Sequence, residues 1–217
     1  MAFAVVNSAV GNTASLTIAS ATANNLLGAF VTQNGATLPG NPPTITGYSM
    51  QPTYTTTTAS TGLFFFTKTA AGGETSIAPT IGSGGTIDTI SYFEISGYTG
   101  TLYLDGSPLT ASNVATNTTY TSAAETTLSA SSILLACSFT GTNQNGGTVA
   151  WSGTGPMTLV GTLGTNLGQV PGYYIPGSTL NAVTFTANWT TSRVSGFLLF
   201  AIRATAPPSS GIHPSFL

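Results

Sequence analysis

Short runs of β-branched and aromatic residues, each closed by glycine, asparagine, proline or serine, recur along the chain, and no window places apolar residues at the i, i+3, i+4, i+7 spacing of a helix. That punctuation predicts many short antiparallel strands. They are expected at 14–20, 25–33, 44–50, 62–68, 75–81 and 87–96, then at 102–104, 118–128, 133–140, 148–152, 157–162, 172–175, 182–188 and 195–204. Asn34-Gly35, Ala71-Gly72-Gly73, Asp105-Gly106 and Asn145-Gly146-Gly147 lie between them and supply the positive φ of tight turns. The expected fold is all-β, a jelly-roll-like antiparallel β-sandwich in one domain over 1–204.

The two halves echo each other. Thr22–Phe30 resembles Leu128–Ala136, Leu63–Phe66 with the strand after it resembles Tyr173–Ile175 with Leu180–Phe185, and each half closes on an apolar strand, Ile90–Ile95 and Gly196–Ile202. A weak internal duplication, 5–97 and 118–205, would give two similar half-sets of strands packed across one core. The competing reading is that a chain so rich in Thr, Ser and Gly echoes itself by composition.

Charge narrows the function more than the fold. The 217 residues hold three basic and five acidic side chains, 4% in all, where an ordinary soluble domain carries about 25%. Hydrophobic content is 41%, with 11 Phe, 8 Tyr and 2 Trp, enough to bury a core. Disorder pairs low hydrophobicity with high net charge, and the net charge here is -2. The longest apolar run, Gly196–Ile202, has strand length, well short of the ~18 residues of a membrane helix, so no membrane span is expected. The opening Met-Ala-Phe-Ala-Val-Val lacks the basic and long apolar regions of a secretory signal. A virion protein, made in the cytosol and released by lysis, fits both this and a surface suited to extracellular life. A secreted protein with its leader removed is the competitor, and the initial Met speaks against it. Cys137 has no second cysteine to bridge, and its apolar setting reads as a small buried strand residue rather than a reactive thiol.

Catalysis needs titratable groups held together, and few are available. Glu74 and Asp105 stand beside glycine in turns, where solvated carboxylates are ordinary. Glu94 lies in the apolar run Tyr92-Phe93-Glu94-Ile95, and three readings stay open: a pair with Arg193, a pair with Arg203, or a solvent-facing position. A glycoside hydrolase, the remote alternative, would need two carboxylates about 5–10 Å apart, and Glu94 with Asp88 is the candidate. His213 is the sole histidine, no Gly-x-Ser-x-Gly elbow exists, and Gly82-Ser83-Gly84-Gly85 lacks the lysine of a phosphate loop. The expectation is a protein without catalytic residues, metal or cofactor.

Lys68, Arg193 and Arg203 could neutralise at most three phosphates, too few for nucleic-acid binding. A carbohydrate-binding or adhesive module needs no charge, and Trp151, Tyr173, Tyr174 and Trp189 are candidates for a glycan platform. Core or intersubunit packing is the plainer reading of the same residues. Asn117-Thr118-Thr119 and Asn188-Trp189-Thr190 match the N-glycosylation sequon, a frequent accident in a Thr-rich chain. The array Thr53-Tyr54-Thr55-Thr56-Thr57-Thr58 suggests ice binding, but no constant Thr-x-Thr period runs through the chain.

After Ala204 the pattern stops. The segment 205–217 contains Pro207, Pro208, Ile212, His213, Pro214, Phe216 and Leu217 and is expected to run as an extended arm that docks on a neighbouring copy.

The order of motifs resembles a diffuse group of β-rich structural proteins of tailed phages and bacterial surfaces. The shared run is Asn12–Ile18, then Ala23–Leu27, an aromatic strand, Ala70–Thr75, Tyr92–Gly97 and Leu104–Ser107. The resemblance implies a sandwich used as a building block or decoration on a particle or filament, with copies of itself and other virion or filament proteins as partners. The expected role is a non-enzymatic subunit of a self-assembling phage virion or extracellular fibre.

Overall fold

The computed structural model describes residues 2–35, 41–58, 61–81, 84–125, 129–140, 149–154, 157–161, 169–180 and 182–203. The first half of the chain forms β1 (Ala4–Gly11), β2 (Leu16–Thr17), β3 (Leu26–Asn34), β4 (Ser49–Thr58), β5 (Thr61–Thr69), β6 (Ser76–Ile77) and β7 (Thr86–Ser96). The second forms β8 (Tyr103–Leu104), β9 (Leu109–Thr121), β10 (Ser132–Thr140), β11 (Val149–Gly153), β12 (Thr158–Leu159), β13 (Gln169–Tyr174) and β14 (Phe185–Arg203). Every pairing among them is antiparallel. The fold is the all-β sandwich that the turn spacing predicts.

Each half builds its own layer. Sheet 1 runs β1-β7-β3-β5-β4, and sheet 2 runs β12-β13-β10-β14, with β8 and β9 on the far edge of β14 and β11 beside its first turn of pairs. The winding of sheet 1 is that of a roll: hairpin β4–β5 lies at one edge, and β3, β7 and β1 are laid alongside in turn.

Successive side chains of a strand point to opposite faces. In β5, Leu63 and Phe65 therefore enter the core between the sheets while Phe64 and Phe66 point away. Both destinations are apolar. The inner cluster joins Phe30, Phe65, Phe93, Leu135, Phe139, Leu198 and Phe200 across the sandwich, with the Phe65 and Phe200 rings 4.7 Å apart. Outside sheet 1, the β2–β6 ribbon and its loops place Leu16, Ile18, Ile45 and Ile77 over Leu27, Val31, Phe64 and Tyr92. Continuous apolar runs such as Leu63-Phe64-Phe65-Phe66 follow from this double covering, where a one-sided sheet would alternate.

Sheet 2 covers its outer face with itself. β14 spans 19 residues and joins two strands the sequence suggests are separate. Register shifts between Asn188 and Phe197 bend it. Its first part, paired with β11, folds back over its second: Trp151 pairs with Ala187, yet its ring meets Phe197 and its indole N–H donates to the Pro171 carbonyl of β13 at 3.2 Å.

The two sheets are wired alike. β3 pairs Leu26 with Ile95 of β7, and β10 pairs Ile133 with Ile202 of β14, so Ile133 stands to Leu26 as Ile202 stands to Ile95. All four face the inner core. The echo read from the sequence set Leu27 against Ile133, which is one residue out. Leu27 faces outward and Ile133 inward, and a slip of one on a strand exchanges faces.

Other differences concern edges. β1, absent from the predicted strands, holds its place through backbone pairing with β7 and keeps alternate residues exposed, so it lacks a bulky signature. β9 begins at Leu109, well before the expected 118. The flanks of the sandwich are closed by side-chain contact. Thr55 Oγ1 of β4 lies 2.8 Å from Ser112 Oγ of β9, and Val10 of β1 packs so closely on Gly161 beyond β12 that a β-carbon there would meet it at 2.2 Å.

Candidate functional site

Three of the five carboxylates of this chain, Glu94, Asp105 and Glu125, are buried. Glu94 is 2% exposed on the outer face of β7, where its Oε1 accepts the Thr22 backbone N–H at 2.8 Å and the Asn25 side-chain N–H at 2.6 Å. The Tyr92 hydroxyl donates to its Oε2 at 3.4 Å, and burial pushes that phenol well above its usual range. None of the three readings of Glu94 holds: neither arginine reaches it, and it does not face solvent. The carboxylate pins the turn that opens β3.

Asp105 performs the corresponding task in the second half. It is 9% exposed, not a solvated turn residue. Its Oδ2 accepts the Ser129 N–H at 2.7 Å and the Ser132 hydroxyl, and Arg203 lies 3.4 Å from its Oδ1. Those serines open β10, the counterpart of β3. Glu74 binds the Lys68 ammonium at 2.7 Å and accepts the N–H groups of Ala71 and Gly72. The Lys68 hydrogen bond, with the help of the Ala71 N–H, holds the Glu74 carboxyl down at about 2. Glu125 is also buried, bridged through its backbone to Val183.

This placement separates the hydrolase candidates. At about 3.3 Å per residue, Asp88 and Glu94 stand roughly 20 Å apart along β7, beyond any glycosidase spacing. Asp88 is half-buried, so desolvation raises its carboxyl, and the Thr86 hydroxyl donates to it at 3.2 Å. Among the described residues no group of three metal-ligating side chains comes together, and no helix is long and apolar enough to cross a membrane. Cys137 is fully buried on β10 and desolvation pushes its thiol well up.

The proposed glycan platform is not assembled. Trp189 is 3% exposed, with its indole N–H donated to the Asn117 carbonyl at 2.7 Å. Trp151 is packed on Phe197 as described, above Gly172, where an added β-carbon would meet its Nε1 at 2.4 Å. Tyr173 joins the inner cluster and its neighbour Tyr174 the outer one, as adjacent strand residues must. The four aromatics serve packing because each has an apolar cluster to enter. The Asn188 side-chain amide of the second sequon donates to Ser152 Oγ at 2.9 Å. The arm, with Pro207, Pro208, Ile212, His213, Pro214, Phe216 and Leu217, lies outside the described residues, as do Gly82 and Ser83.

What faces solvent is neutral and hydroxylated. On the folded-back part of sheet 2, Thr121 pairs with Thr186 through their hydroxyls at 2.8 Å, and Thr119, Ser152 and Thr154 are exposed beside them. Among the described residues, the exposed large apolar side chains are Val6 and Met50. At the end of the inter-sheet core lies a pocket of about 280 Å³ bordered by β3, β4, β5 and the 98–102 segment. No single residue of it stands out in the sequence, because its walls meet only when that segment crosses from sheet 1 to sheet 2.

No family model, no curated protein and no solved structure matches this chain.

Proposed function

We propose that this protein is a non-enzymatic structural subunit that assembles with copies of itself, in a virion or an extracellular fibre. The observation that carries this reading is the fate of its charges. Lys68 with Glu74, Arg203 with Asp105, and buried Glu94 are taken up by internal contacts, so the surface presents mostly hydroxyl and amide groups. Neighbours that meet on such a surface have few ions to desolvate and little long-range repulsion to overcome. The closed flanks favour contact between faces, with the 205–217 arm as a tether, over addition of strands at an open edge.

The test is sedimentation of the full chain across concentration, at low salt and in molar sodium chloride. Regular multimers that persist in high salt are expected, because screening has few charges to act on, and deletion of 205–217 should weaken them. A strictly monomeric full-length protein at high concentration would sink the reading, and electron micrographs of the same material would show particle, filament or neither.

A further inference from the structure

The end of the sandwich where the chain passes from sheet 1 to sheet 2 carries a pocket. Gly97, at the start of that passage, has φ 83° and runs so close to Ala2 that a β-carbon would lie 2.4 Å from its carbonyl oxygen. Only glycine fits there, and it directs the next residues across the end of the inner core. The 98–102 segment stops short of the β4–β5 hairpin and leaves the pocket of about 280 Å³.

Its floor is apolar, Leu26 and Leu102, and Tyr98 lines it from the crossing segment. The hairpin contributes Ser49, Gln51 and Thr67. The Gln51 side-chain N–H donates to Thr67 Oγ1 at 2.8 Å, which fixes the amide. That leaves the Gln51 carbonyl oxygen, the Ser49 hydroxyl and the Tyr98 hydroxyl without a partner among the described residues. Lys68 borders the rim, but its ammonium is tied to Glu74 at 2.7 Å and brings no open charge.

We propose that this pocket binds one neutral, polyhydroxylated ring, a single pyranose unit of a glycan. An apolar floor, one aromatic side chain and a few fixed hydroxyl and amide groups match a ring with apolar C–H faces and a rim of hydroxyls. An anion would need a free cation or a cluster of backbone N–H groups. A purely apolar ligand would strand the polar wall. The volume lies just below the roughly 300–1,000 Å³ of sites for drug-sized ligands, so it takes one ring and not a chain. Affinity for so small a ligand belongs in the millimolar range. The proposal stands apart from assembly, since the pocket belongs to one copy.

Saturation-transfer NMR on the full chain, with glucose, galactose, mannose and N-acetylglucosamine at millimolar concentration and glucuronate as the charged control, tests it. At least one neutral sugar should receive saturation. Gln51→Ala and Tyr98→Ala should weaken binding about tenfold or more. Ser49→Arg, at an exposed position on an edge strand, should fill the mouth and abolish the signal while the thermal midpoint stays unchanged. Silence from all four neutral sugars, a signal that survives Ser49→Arg, or a preference for glucuronate would each overturn the proposal.

Discussion

Leu135 on β10 fills the space above Gly28 on β3: a β-carbon on Gly28 would stand 3.4 Å from Leu135 Cδ1 and 3.2 Å from the Phe65 ring. The two residues hold equivalent places in their sheets, so the layers approach because one position is empty and the other large. Leu135→Ala is expected to cost about 3–4 kcal/mol through the cavity it leaves. Gly28→Ala should cost about 1–2 kcal/mol through overpacking. Both act on one gap, so the double variant should lose less than the sum. Urea unfolding of the four proteins measures the coupling, and strict additivity would mean that the layers do not meet there.

Glu94 and Asp105 each hold the turn that opens a central strand. Glu94→Ala removes the acceptor of the Thr22 and Asn25 N–H groups. A loss of about 2–4 kcal/mol is expected, since the backbone donor is left without its partner beneath the turn. Hydrogen exchange at the Thr22 amide should accelerate more than exchange in β10. Asp105→Ala should reverse that order, with the Ser129 amide as its reporter. Equal acceleration in both halves after either change would show that the two latches are not local.

Glu74 makes stability depend on acid. Its carboxyl is held at about 2 in the fold against an ordinary 4.5, so folding favours the charged form. The stabilisation is complete above about pH 4.5 and disappears as the pH falls through about 2. For a partly exposed pair it should amount to roughly 1 kcal/mol. The gap in unfolding free energy between the native protein and Glu74→Gln should hold from neutral pH to about 5 and close near pH 2. A gap that stays open at pH 2 would assign the effect to packing.

Cys137 offers a clock for unfolding. The thiol is buried and its ionisation suppressed, so a thiol reagent should label it only when β10 separates from β13 and β14. Labelling in native buffer should therefore track the global unfolding rate and jump to completion in denaturant. Fast labelling of the folded protein would reveal a local opening of sheet 2.

The central strands were readable because they are buried on both faces. Asn25–Gln33, Gly62–Lys68, Ile87–Ser96 and Ile133–Thr140 announce themselves as stretches rich in apolar and β-branched residues between turn residues, and β3, β5, β7 and β10 lie within a residue or two of them. The edges were hidden for the opposite reason. β1 buries little and is held by the backbone of β7, which composition does not encode. The bend of β14 depends on pairing with both β9 and β11, which lie far from it in sequence. Glu94 shows the limit for sites. An acid in an apolar strand announces a buried carboxylate, but its partners Thr22 and Asn25 come from a turn that only the folded sheet brings near. Trp and Tyr suit a sugar platform and a core equally well in sequence, and the fold packs Trp151, Tyr173, Tyr174 and Trp189 against apolar clusters, the plainer of the two readings.

Because sheet 1 is complete by Ser96, the ribosome releases a finished layer before its cover exists. At about 5–20 residues per second, the second half arrives roughly 5–20 s later. Through that interval Phe30, Leu63, Phe65 and Phe93 face water on a layer with almost no charge to keep another nascent chain away. The Gly28 groove then gives Leu135 a defined place to land. The yield of folded protein in a cell should rest on that delay, and slower synthesis of the second half should favour clumping of the first.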